Sequence, residues 1–88
     1  MKIRVFYSKD CARCKVYIPI LKMSKLKPVF VDSEADANKE LCDKYDVDEL
    51  PHTQIIGDDG TILINMLGVR TPQYIIQEMQ RLKKEGKK

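Results

Sequence analysis

No stretch of this sequence approaches the roughly 18 uninterrupted apolar residues that a membrane span needs. Its start, Met1-Lys2-Ile3-Arg4-Val5, alternates polar and apolar residues as a strand does. Neither a signal peptide nor an anchor is expected there, and no membrane partner. Cysteine is scarce: there are three, an odd count, in place of the dense even set with which small secreted domains reinforce a thin core. A reducing, cytoplasmic setting is therefore expected. Acidic residues are nearly missing from the first third of the chain. Residues 1–31 carry eight Lys/Arg against Asp10 alone, whereas residues 32–50 carry eight Asp/Glu against Lys39 and Lys44. The basic residues are not interleaved with aromatics that would stack on bases, so a nucleic-acid partner is not expected. Internal repeats, linkers and low-complexity segments are missing as well. At 88 residues, 43% of them hydrophobic, the chain has material for one core and not two, so a single domain over 1–88 is expected.

What is present reads as alternating strands and helices. Ile3, Val5, Phe6 and Tyr7 form a β-rich run that ends at Ser8-Lys9-Asp10; from Cys11 the apolar residues shift to helical spacing, at Val16, Tyr17, Ile20 and Leu21. The helix stops before Lys27-Pro28, and Val29-Phe30-Val31 begins a second strand, so the first two strands are expected to be parallel. Ser33 to Tyr45 carries Ala37, Leu41 and Tyr45 at four-residue intervals and predicts a second helix with one narrow buried stripe, capped by Ser33. Thr53-Gln54-Ile55-Ile56, Gly57-Asp58-Asp59-Gly60 and Thr61 to Leu67 predict an antiparallel hairpin. Thr71-Pro72 opens a last helix with Ile75, Ile76, Met79 and Leu82 as its apolar positions, running to Gly86 and a frayed basic end at Lys83, Lys84, Lys87 and Lys88. The order is β-α-β-α-β-β-α. Lys2 and Arg4 break the pattern, because a central strand covered on both faces should be apolar on both. Either the strand start protrudes or Arg4 snorkels.

The chemistry is concentrated in Asp10-Cys11-Ala12-Arg13-Cys14-Lys15. Two thiols three positions apart at a strand-to-helix turn share one helix face, so their sulfurs can bridge. A helix N-terminus stabilises a thiolate and lowers a cysteine pKa from about 8.5 toward roughly 3.5–7.5. Cys11 is thus the expected nucleophile and Cys14 the resolving thiol. Arg13 and Lys15 favour the thiolate and anionic partners, and Asp10 opposes them. A lone C-x-x-C is also half of a zinc site, and Cys42 with His52 would bring the ligand count to four; the nine residues between them lack the usual paired spacing, so no metal is expected.

Cys11 to Leu21, with a proline five residues after the second cysteine, resembles the active-site helix of thioredoxins. Lys44 to Pro51 is similar to the segment leading to that family's cis-proline, and Leu67-Gly68-Val69 to its glycine region. The short length and Val5 to Cys11 resemble glutaredoxins and glutaredoxin-like thioredoxins. The resemblance implies a thioredoxin fold, α/β, with three helices and a four-stranded mixed sheet in the order 2-1-3-4. It implies a dithiol-disulfide oxidoreductase with no cofactor beyond its own Cys11–Cys14 disulfide; the alternatives are a glutathione-dependent glutaredoxin and a non-catalytic thioredoxin-fold module that binds a metal or a partner. Pro51 would be cis, with Leu50 and Gly68 binding substrate. The implied partners are protein disulfide clients and a thioredoxin reductase or glutathione system, glutathione then being a co-substrate met by Lys9, Arg13 and Arg70; the protein is expected to be a monomer. Departures from the family pattern are Asp10 in place of tryptophan, Lys2 where a buried acid would align, and His52 after Pro51. Asp10, Arg13, Lys15 and His52 are the expected tuning residues, with His52 expected to be a partly exposed group at a strand start. Cys42 is read as core filler.

Overall fold

The computed structural model describes residues 1–87; Lys88, the last of the basic residues at the chain end, lies outside them. Four strands, β1 (Lys2–Tyr7), β2 (Val29–Asp32), β3 (His52–Ile56) and β4 (Ile62–Leu67), form one sheet in the order β2-β1-β3-β4. β1 pairs parallel with β2 and antiparallel with β3, and β3 pairs antiparallel with β4. The expected mixed sheet and strand order are therefore both present. A bulge at Ile55/Ile56 bends the hairpin just before its turn. Gly60, at φ +89°, turns the chain there in a backbone region that glycine enters without a Cβ clash.

Three α-helices, α1 (Ala12–Met23), α2 (Lys39–Lys44) and α3 (Pro72–Lys84), complete the fold. Alternation along β3 assigns the two faces of the sheet. Thr53 meets Tyr17 of α1, and Ile55 joins Ile3, Val5, Tyr17, Leu21, Met66, Ile75 and Leu82 in the main core, so this face is covered by α1 and α3. His52 and Gln54 point to the other face, where Tyr45, at the end of α2, lies under the Arg4 guanidinium.

Two expectations are corrected. The second helix does not run from Ser33: a short 3₁₀ turn at Asp36–Asn38 precedes the six-residue α2, Ser33 caps neither, and Ala37 is exposed. The polar run before Lys39 has too few apolar side chains to hold a full helix on the sheet. The end of α3 is not frayed, because Gly86 at φ +80° donates to the Lys83 carbonyl and Lys87 to that of Leu82, which closes the helix in a Schellman motif. In α1 the inward stripe is Cys14, Tyr17 and Leu21, while Val16 is 61% and Ile20 43% exposed. The helix is apolar on two faces, and spacing alone cannot say which of them meets the sheet.

Lys2 is exposed at the strand start, and Arg4 is half-buried with its head group held by neighbours. Its guanidinium donates to Gln54 Oε1 (3.0 Å) and lies 5.6 Å from the Tyr45 ring centre. Gln54 Nε2 donates to Asn65 Oδ1 (3.2 Å), and His52 Nε2 bonds the same oxygen at 2.9 Å. A polar ladder thus crosses β1, β3 and β4. Because Asn65 Oδ1 only accepts, His52 carries its proton on Nε2.

Candidate active site

The register brings several element ends to one pole. Phe6 pairs with His52 and His52 with Leu67, so the end of β1, the start of β3 and the end of β4 lie side by side. Four residues beyond Tyr7, Cys11 occupies the N-cap of α1 in extended conformation (φ −82°, ψ 109°), its amide donating to the Ser8 carbonyl (3.3 Å). Its sulfur accepts the Cys14 backbone N–H at 3.2 Å. Sulfur here does what a Ser or Asp oxygen does at other helix starts, and the same N–H and helix dipole favour negative charge on it.

Cys11 and Cys14 are joined in a disulfide with 5.2 Å between Cα atoms. Cys14 is fully buried and Cys11 half-buried, so a second molecule reaches only the first sulfur. Ala12, Arg13 and Lys15 are exposed, as are Lys9 and Asp10 in the preceding turn. The Leu50–Pro51 peptide bond is cis, and Pro51 is buried. The Pro51 carbonyl accepts the Gly68 N–H at 2.9 Å, and Gly68 sits at φ +84°. Leu50, Pro51 and Gly68 are therefore joined on one wall of the pole, with Leu50 just outside the strand ladder, which begins at His52. Arg70 is half-buried nearby; its guanidinium donates to the Val69 carbonyl and lies 5.9 Å from the Tyr74 ring centre.

Two groups at the site were not legible beforehand. One turn after Cys14 on its helix face, the Tyr17 hydroxyl lies 2.8 Å from Thr53 Oγ1, both residues fully buried. Burial holds the phenol above its ordinary pKa, against the opposing pull of Thr53 and Arg70. The other is the neighbourhood of His52, which is buried and not partly exposed as expected: it packs edge-on against Phe6 at 5.6 Å, bonds Asn65, and leaves Nδ1 buried with no partner. Its side chain lies on the opposite sheet face from α1. The polar alternation of His52 and Gln54 with Thr53 and Ile55 was the only signal for that ladder. Cys42 is half-buried in α2, where burial and then Asp43 raise its thiol pKa. Among the described residues no three His, Cys, Asp or Glu side chains are gathered as a metal would require, and no helix is long and apolar enough to cross a membrane.

A reachable sulfur at a helix N-terminus, bridged to a buried one a turn later and mounted on this four-stranded sheet, defines the class of thioredoxin-fold thiol–disulfide oxidoreductases. The Thioredoxin family model matches residues 3–81, and the chain belongs to the thioredoxin family. Solved structures agree in fold. Thioredoxin f2 of Chlamydomonas reinhardtii superposes with a TM-score of 0.71 at 23% identity, over 90% of this chain and 76% of that one. The thioredoxin of Aeropyrum pernix gives 0.69 at 21% identity, over 92% and 73%. The C-terminal domain of Neisseria meningitidis DsbD, in its oxidised form, gives 0.68 at 17% identity, over 91% and 78%. Among curated proteins no sequence matches the chain.

Proposed function

We propose that the protein is a dithiol protein-disulfide reductase, and the observation that carries this reading is the unequal burial of the bridged pair, Cys11 reachable and Cys14 enclosed. In the reduced protein the Cys11 thiolate, favoured by the Cys14 N–H and the α1 dipole, attacks one sulfur of a client disulfide. The client's second sulfur leaves as a thiolate and a mixed disulfide forms. Cys14 loses its proton, attacks the Cys11 sulfur and releases the second client thiol, which leaves the Cys11–Cys14 disulfide. Two electrons pass to the client and are restored by a reductase. Leu50 would pair through its backbone with the extended client segment, with Pro51 and Gly68 shaping the wall beside it. Asp10, Arg13 and Lys15 set the charge at the rim.

The second reading is a glutaredoxin recharged by glutathione, and the cations Lys9, Arg13 and Arg70 favour it. The start of α3 weighs against it. Pro72 has no N–H, and Thr71 Oγ1 already accepts the Tyr74 N–H (3.1 Å), so the first turn has few donors left for a glutathione carboxylate. The deciding experiment supplies electrons for reduction of a protein disulfide through thioredoxin reductase in one assay and through glutathione with glutathione reductase in the other. Turnover with the first is expected, and turnover with glutathione alone refutes the proposal.

A further inference from the structure

The solvent face of α1 is apolar along its whole length. Ala12, Val16, Pro19, Ile20 and Met23 are all exposed, Met23 to 90%, and they recur at the spacing of one helix face, opposite the buried Cys14, Tyr17 and Leu21. Scattered surface apolar residues are ordinary, but a continuous stripe flanked by charged side chains marks an interaction site. Along the helix its rim is of one sign, the exposed Asp10 lying in the turn before it. Arg13 flanks one side, Lys15 and Lys22 the other, and α1 has no acidic residue. The stripe also begins at Ala12, between the two cysteines, so a partner seated on that end lies beside the redox pair.

We propose that this stripe docks a protein partner that presents an apolar surface rimmed by Asp or Glu and exchanges a disulfide with Cys11. The inference rests on the proposed redox function and names the class of its partner. Charge complementarity selects this occupant, because a second copy packed α1 against α1 would oppose Arg13, Lys15 and Lys22 with their own equivalents. A membrane surface fits poorly, since it would bury the redox centre away from any client.

The test uses three probes on the reduced, full-length protein. Each of two peptides carries one cysteine joined by a disulfide to an aromatic thiol that becomes coloured on release, followed by an amphipathic helix whose apolar stripe is flanked by glutamates in one peptide and lysines in the other. The third probe is the same aromatic disulfide on cysteine alone. The Cys11 thiolate attacks the cysteine sulfur and expels the aromatic thiolate; Cys14 then displaces the cysteine thiol and closes the protein disulfide. The glutamate peptide is expected to react at least about tenfold faster than the lysine peptide at low salt, the advantage shrinking as salt rises. The double substitution Val16→Ser, Met23→Ser should lower the ratio of the glutamate-peptide rate to the small-disulfide rate.

Equal rates for the two peptides, or an unchanged ratio in the double variant, overturn the docking proposal while the redox function stands. Failure to react with the small disulfide overturns the redox function itself. Sedimentation of the protein with phosphatidylserine vesicles, or a dimer at tens of micromolar that Met23→Ser dissolves, assigns the stripe to another occupant and refutes the proposal.

Discussion

Replacing Tyr17 by phenylalanine isolates one buried hydrogen bond beside the redox helix. Tyr17 and Thr53 are fully buried, with their oxygens 2.8 Å apart, so Tyr17→Phe keeps the ring and strands the threonine hydroxyl. A buried polar group left without its partner costs about 1–3 kcal/mol. For a domain of this size each kcal/mol moves Tm by about 4–8 °C, so a fall of about 4–24 °C is expected. Thr53→Val should do comparable damage from the other side. The double variant Tyr17→Phe, Thr53→Val leaves no stranded group and should lose clearly less than the two single losses added, with a coupling of about 1 kcal/mol or more. Urea and thermal melts of the four proteins, with the disulfide intact, measure this. The pH dependence supplies a second sign. Since burial raises the Tyr17 pKa in the folded protein, the unfolded chain binds fewer protons once pH passes a phenol's ordinary value of about 10. Stability contributed by the neutral phenol is thus complete below that pH and lost as pH rises through the folded value, and Tyr17→Phe should abolish this part of the loss. Single variants as stable as the wild type, or a double variant that loses the full sum, would refute the reasoning.

Cys11→Ser should abolish disulfide exchange, whereas Cys14→Ser should accumulate a mixed disulfide with a protein substrate, seen as a shifted band on non-reducing gels; the opposite pattern reverses the two roles. Asn65→Ala removes the oxygen shared by His52 and Gln54, but Asn65 is exposed and water can take its place, so a loss of about 0.5–1.5 kcal/mol is expected. A denaturant midpoint within error of the wild type would show that the ladder adds nothing. Gly68→Ala meets no close atom, the nearest being the Arg70 guanidinium at 3.7 Å, but forces a Cβ into a φ of +84° at about 1–2 kcal/mol. Its melt should show that loss without loss of fold.

Local rules made much of this legible. Gly57 to Gly60 between two β-rich runs marked the hairpin, Thr71-Pro72 the start of α3, and the spacing of Cys11 and Cys14 at a strand end the redox pair. What was not legible depended on which side of an element faces the sheet. Val16 and Ile20 have the same spacing as Tyr17 and Leu21, and only the placement of α1 on the sheet separates the two stripes. Ala37 kept helical spacing with Leu41 and Tyr45, yet four-residue intervals say nothing of whether a polar segment has enough to bury. His52 stood alone in the sequence because its partner, Asn65, lies on another strand, paired only through the register of the hairpin.

The Arg4–Gln54–Asn65–His52 ladder also restricts how the three strands can align. A slip of one residue in β3 would turn Gln54 and His52 toward the apolar helices and expose Ile55, and a slip of two would part each polar side chain from its neighbour. Bulky apolar residues tolerate small misalignments, since one methyl group packs much like another; directional hydrogen bonds between unlike groups do not. The thinly covered side of the sheet thus acts as an alignment gauge. It fixes where β1 ends relative to β3, and so where Cys11 stands relative to Pro51.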